Sequence, residues 1–170
     1  LAINLTRDNV GGITSSNINL LNYLYKLNYE FVGIELVSRV HMEGPALFRS
    51  FAPEIFDHHI ISINHLPLKN ILKRSNSLQD VKKSYREPIK IIRKILQKNR
   101  PDVVLLSGTY YLPWLISIAA KKEKIPVVLW YSGVLTKEME HASPKLRRIF
   151  LWVEKAIIAN ASKIIFPSEL

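Results

Sequence analysis

Four short segments carry residues whose types and spacing suit chemistry: Arg7, Asn9 and Gly11-Gly12; Ser107-Gly108-Thr109-Tyr110; Tyr131-Ser132-Gly133; and Ser168-Glu169. Glycine lets backbone N–H groups approach a ligand closely. Hydroxyls and a carboxylate hydrogen-bond a polyhydroxylated ligand, and an aromatic ring can stack on a sugar or base. Arg7 adds a cation. A bound anion is the natural target where Gly11-Gly12 precedes a helix, because a helix N-terminus presents free N–H groups and a positive dipole end. Thr14, Ser15, Ser16 and Asn17 are all residues suited to cap that helix. Each segment could also be only a compact strand-to-helix turn.

Other chemistries find less support. The glycines do not form G-x-G-x-x-G or a Walker loop. Glu35 is the only acidic residue near the end of the second strand to meet a ribose, which disfavours a nicotinamide cofactor. Glu138, Glu140 and His141 fit no metal-binding spacing and read as a solvated loop. Glu154 reads as the partner of a basic side chain, and His58-His59 as lying at a strand edge, without function. No Ser/His/Asp arrangement and no acid–base pair of carboxylates stands out, so the catalytic residues are unassigned. The chain holds no cysteine, which excludes disulfides and thiolate chemistry. A reducing, cytoplasmic location fits that composition. No apolar run is long enough to span a bilayer.

The elements that must position these segments alternate between strand and helix. Strands are expected at Leu1–Leu5, Tyr29–Val37, His59–Ile63, Val103–Leu106, Val127–Trp130 and Lys163–Phe166. Helices are expected after Asn17, along the stripe Leu78, Val81, Tyr85, Ile89, Ile92 and Leu96, from Pro113, and from Ser143-Pro144. Pro88 should kink or split the second of these. Short continuous apolar strands between helices imply a parallel sheet covered on both faces. The result is an α/β fold: a Rossmann-like, doubly wound, three-layer α/β/α domain with strand order 3-2-1-4-5-6. In such a sheet the site opens at the C-terminal strand ends where the order reverses, which is where the four segments fall.

The 170 residues suit one domain, with a net charge of +10. Between residues 69 and 100, eleven Lys and Arg face only Asp80 and Glu87, so nearly all of the excess lies in one segment. It reads first as a solvated amphipathic helix, and second as a contact for an anionic membrane surface. Aromatics are not interleaved with its cations, and no nucleic-acid motif is present, so nucleic acid is not expected.

The segments and their order resemble the N-terminal domain of family 4-like glycosyltransferases of the GT-B fold. The matching pieces are Gly11-Gly12, Pro101-Asp102-Val103-Val104, Ile125-Pro126-Val127-Val128, Gly133, Glu154-Lys155 and the run from Ala161 to Glu169. The resemblance implies one lobe, residues 1–170, of a retaining enzyme that moves a sugar from a nucleotide-sugar to a glycan or lipid-linked acceptor. It implies a C-terminal donor-binding lobe outside these residues, and no cofactor beyond the donor. Gly11 and Gly12 would approach the donor diphosphate. Arg7, Asn9, Ser107, Thr109, Tyr110, Ser132 and Gly133 would line the acceptor side, with Ser168 and Glu169 between lobes. Ser132 stands where the family often carries histidine, and Ser107 where a His-rich strand end is common. A hydroxyl can hydrogen-bond a sugar but cannot supply an imidazolium charge. The alternatives are a non-catalytic Rossmann-like binding domain that uses its basic helix for nucleic acid or anionic membrane, and a nucleotide-sugar epimerase lobe. Peripheral attachment at the inner face of the membrane would follow from the basic segment.

Overall fold

The computed structural model describes residues 1–5, 12–38, 56–63, 78–131, 141 and 143–166. The apolar runs form six strands: β1 (Ala2–Leu5), β2 (Phe31–Ser38), β3 (Phe56–Ile63), β4 (Val104–Ser107), β5 (Val127–Trp130) and β6 (Lys163–Ile165). All pair in parallel, in the order β3-β2-β1-β4-β5-β6 expected from the sequence. Four described helices connect them: α1 (Gly12–Lys26), α2 (Leu78–Asn99), α3 (Tyr111–Lys122) and α4 (Pro144–Asn160).

Side-chain alternation explains the three layers. Ala2, Val32, Ile34, Val104, Leu106, Val127 and Leu129 share one core with α2, α3 and α4. Their neighbours Ile3, Phe31 and Leu105 point the other way and pack with Leu21 of α1. Helix α3 lies in the middle of its layer, with Leu115, Ile116, Ala119 and Ala120 wholly buried. An all-round apolar sequence is what such a position needs.

Helix α2 buries Tyr85, Ile92, Ile95 and Leu96 and leaves Arg86, Lys90 and Lys94 exposed. It runs unbroken through Pro88, so the expected split does not occur. Pro88 is itself buried, between Tyr85 and the stripe from Ile92 to Leu96. Burial of apolar side chains on both sides outweighs the lost backbone hydrogen bond, a cost of about 3 kcal/mol. Glu123, at the end of α3, accepts hydrogen bonds from Arg93 and Gln97 of α2. Those bonds, Arg93 first, hold its carboxyl below the usual range.

Helix α1 starts at Gly12, so Thr14 to Asn17 lie within it instead of capping it. Asn17 is fully buried instead, with neither amide atom hydrogen-bonded. Ser143 does stand at the N-cap of α4, with Pro144 at its start, but its hydroxyl makes no capping bond.

Tyr85 and Tyr111 pack with ring centroids 5.3 Å apart, and both hydroxyls are buried without a hydrogen-bond partner. Burial pushes the Tyr85 phenol up to about 12. Burial, then the neighbouring Tyr85, raises Tyr111 above the usual tyrosine range. Both folded values exceed the unfolded one of about 10. The unfolded chain therefore loses these protons first as pH rises, and stability present below about pH 10 falls as pH climbs toward 12. Urea midpoints measured from about pH 9 to about pH 11.5 should drop, and the Tyr85→Phe, Tyr111→Phe double variant should flatten that drop.

Candidate functional site

The strand order reverses at β1, which pairs with β2 on one side and β4 on the other. Helix α1 begins at Gly12 after β1, and α3 begins at Tyr111 after β4. The C-terminal edges of β4 and β5 lie side by side, with Ser107 paired to Trp130 and the Gly108 N–H donating to the Trp130 carbonyl at 3.2 Å. The residues after these strands, Thr109-Tyr110 and Tyr131, are thereby brought together.

Ser107 and Thr109 are buried, and Tyr110 is half-buried. Gly108 holds φ +82°, a conformation side-chain-bearing residues rarely adopt, and the Tyr110 ring closes over it. A Cβ on Gly108 would sit 2.8 Å from Tyr110 Cζ. Gly108→Ala is expected to cost about 1–2 kcal/mol. It should also swing the Tyr110 ring, because a ring end yields more easily than backbone. Denaturant unfolding checks the first effect, and Tyr110 ring-proton shifts the second.

A carboxylate organises this edge. Glu154 of α4 is only 4% exposed. Its Oε1 accepts a hydrogen bond from the Tyr131 hydroxyl at 2.7 Å and a longer one from Thr109 Oγ1 at 3.5 Å. One buried group therefore ties the ends of β4 and β5 to α4. The sequence reading expects a basic partner for Glu154; the hydroxyls of Tyr131 and Thr109 are partners that it did not name. Glu154 follows Val153 and precedes Ile157 on the buried stripe of α4, which aims it at the sheet. That stripe is the signal that could have found it. Phe166, after β6, meets Tyr131 with ring centroids 5.6 Å apart.

Glu35 lies within β2, paired to Leu5 and Ile60, and is fully buried. It does not sit at the end of its strand, which runs on to Ser38. His58 and His59 both fall within β3, the outermost strand of the sheet, which starts at Phe56, three residues before the expected start. His141 is exposed in a turn. Among the described residues no group of three His, Cys, Asp or Glu could hold a metal ion. No described helix is long and apolar enough to cross a membrane. Arg7, Asn9, Gly11, Ser132, Gly133, Ser168 and Glu169, with Glu138 and Glu140, lie outside the described residues.

Comparisons with known proteins agree with this architecture. A UDP-GlcNAc 2-epimerase from Methanocaldococcus jannaschii superposes with TM-score 0.61 at 18% identity, covering 98% of this chain and 39% of that one. MurG from Acinetobacter baumannii gives TM-score 0.60 at 12% identity, covering 99% and 43%. UGT89C1 from Arabidopsis thaliana, complexed with UDP-L-rhamnose, gives 0.58 at 15% identity, covering 98% and 41%. At these identities the likeness is one of fold, and the chain spans less than half the length of each structure. Comparison with curated proteins returns no match. The family described as Glycosyltransferase Family 4 matches residues 10–170, nearly the whole chain. The chain therefore belongs to Glycosyltransferase Family 4 and has the fold of one GT-B lobe.

Proposed function

We propose that the protein transfers a sugar from a nucleotide-sugar to a glycan or lipid-linked acceptor, with retention at the anomeric carbon, and that this lobe shapes the acceptor side. The observation that carries the reading is the family match over residues 10–170, joined to a Gly-bearing, hydroxyl-rich edge at β4 and β5. Related folds carry UDP and UDP-L-rhamnose in solved complexes, which supports a nucleotide-sugar donor.

In this reading Gly11 and Gly12 bring backbone N–H groups to the donor diphosphate, where the start of α1 favours negative charge. Departure of the nucleoside diphosphate leaves charge that N–H dipoles and basic side chains stabilise. Arg7, Asn9, Ser107, Thr109, Tyr110, Ser132 and Gly133 form the acceptor wall, while Ser168 and Glu169 face a second, donor-binding lobe. Glu154 positions the wall through Tyr131 and Thr109. The donor is the only small molecule the reaction requires besides the acceptor. The enzyme works in the cytoplasm.

The test is a panel of nucleotide-sugars with glycan and lipid-linked acceptors, reading nucleotide release and glycosylated product. The expected result is acceptor-dependent release by a protein carrying both lobes and none by residues 1–170 alone. Turnover by residues 1–170 alone contradicts the split site. Interconversion of a nucleotide-sugar without acceptor would instead favour an epimerase lobe, a reading that the fold of the Methanocaldococcus protein supports.

A further inference from the structure

Helix α4 carries four cations, Lys145, Arg147, Arg148 and Lys155, and one acid, Glu154. The acid is buried against the sheet, while all four cations are exposed. Among them stand Leu151, 39% exposed, and Trp152, 58% exposed. The outward face of α4 therefore combines cations with large apolar side chains and presents no acid of its own. A helix face that merely meets water normally mixes both signs of charge and keeps tryptophan inside.

Two further details sharpen this. Trp152 is braced edge-on against buried Trp114, ring centroids 5.3 Å apart, so its exposed side has a set direction. Arg147 and Arg148 line a hollow of about 350 Å³ with Pro144 and Leu151. Guanidinium groups bind phosphate through paired N–H donors, and the hollow sets them beside apolar wall. On α2, by contrast, Lys90 pairs with Glu87 and Arg93 with Glu123. Two cations of the segment most basic by sequence are thus already met by acids.

We infer that the outer face of α4 docks on an anionic lipid bilayer, with Arg147 and Arg148 on headgroup phosphates and Leu151 and Trp152 at the acyl boundary. Cationic and apolar groups interleaved on one helix face suit a helix lying in the membrane interface. Tryptophan is favoured at that depth. Nucleic acid would engage the cations but leave Leu151 without a partner. This surface lies on the helix side of the sheet, apart from the strand-end site, and stands independently of the transfer reaction.

The test is co-sedimentation of the protein with phosphatidylcholine vesicles, with or without about 30 mol% phosphatidylglycerol. Quenching of tryptophan by brominated lipid reports insertion. The protein should pellet with anionic and not with neutral vesicles. Arg147→Glu with Arg148→Glu should lower the partition coefficient at least about tenfold, since each cation near such a surface contributes appreciably. Trp152→Ser should remove most of the quenching. Lys90→Glu with Lys94→Glu on α2 should change partition by no more than about twofold, as expected for charges off the contact. Pelleting with neither vesicle, equal pelleting with both, or indifference to the Arg147 and Arg148 reversal would overturn the assignment. So would loss caused by the α2 reversal alone, or an α4 face found covered by another part of a longer chain. Donor-dependent turnover measured on the unsubstituted protein keeps the outcomes apart: sugar transfer without pelleting on anionic vesicles overturns only the bilayer assignment.

Discussion

Leu115→Ala should destabilise the protein by about 2–5 kcal/mol, the range for emptying a close-packed leucine site. Leu115 is wholly buried in α3, the middle helix of its layer. Helix α3 cannot slide to refill the space. Ser117 Oγ donates to the Trp114 carbonyl at 2.8 Å, the Asn160 amide of α4 donates to Ser117 Oγ at 3.3 Å, and Lys121 reaches Asn160 Oδ1 at 3.0 Å. The two bonds to Asn160 hold α3 against α4, while Glu123 holds it against α2. A loss of that size is a large share of a typical domain's total stability, roughly 5–15 kcal/mol. It should lower the melting temperature by roughly 10 °C for a chain of this length. Leu151→Ala removes the same atoms from the surface of α4 and should cost no more than about 0.5 kcal/mol. Urea unfolding of the two variants side by side checks the contrast. Equal costs would mean that α3 is not the centre of the core.

Glu154→Ala should have the second largest effect, and on two readouts. Removing the carboxylate takes the 2.7 Å acceptor from the Tyr131 hydroxyl and frees Thr109 from α4. A hydrogen bond to a carboxylate acceptor is worth about 1.5–3 kcal/mol. Tyr131→Phe should cost less, because it removes the donor together with its need for an acceptor. The two changes should not add: a coupling of about 1–2 kcal/mol is expected from a double-mutant cycle. The second readout is ligand use at the strand ends. With β4 and β5 no longer tied to α4, the proposed acceptor wall should loosen, and the proposed transfer should lose more rate than it does in Glu154→Gln. The glutamine amide oxygen can still accept from Tyr131. Additive costs, or equal rates for the Ala and Gln variants, would show that Glu154 only fills space.

The architecture was legible because each strand is a short apolar run and each helix carries a regular stripe. The run Val127–Trp130 matches its strand residue for residue, and the strand order followed from parallel connections of fixed hand. Boundaries moved where local preference met tertiary context. Thr14 to Asn17 favour caps, yet Gly12 starts α1; Pro88 favours a break, yet the buried stripe of α2 carries the helix through it. At the site, periodicity located the ends of β4 and β5 but not what joins them. Glu154 lies 23 residues from Tyr131 and 45 from Thr109. No local pattern predicts so distant a contact, and only the carboxylate's place on an apolar stripe hinted at it. The charge count was likewise silent on pairing between elements. Counting residues favoured the segment 69–100, whereas acids on α2 and α3 answer part of its charge.

The central claim is that ligand is handled where the strand order reverses, at the C-terminal ends of β1, β4 and β5. Amide hydrogen exchange of the enzyme, with and without nucleotide-sugar and acceptor, tests it most directly. Slowed exchange is predicted from Gly108 to Leu112, at Tyr131 and at the start of α1. Unchanged exchange there, with protection confined to the opposite strand ends or to the outer helices, would contradict it.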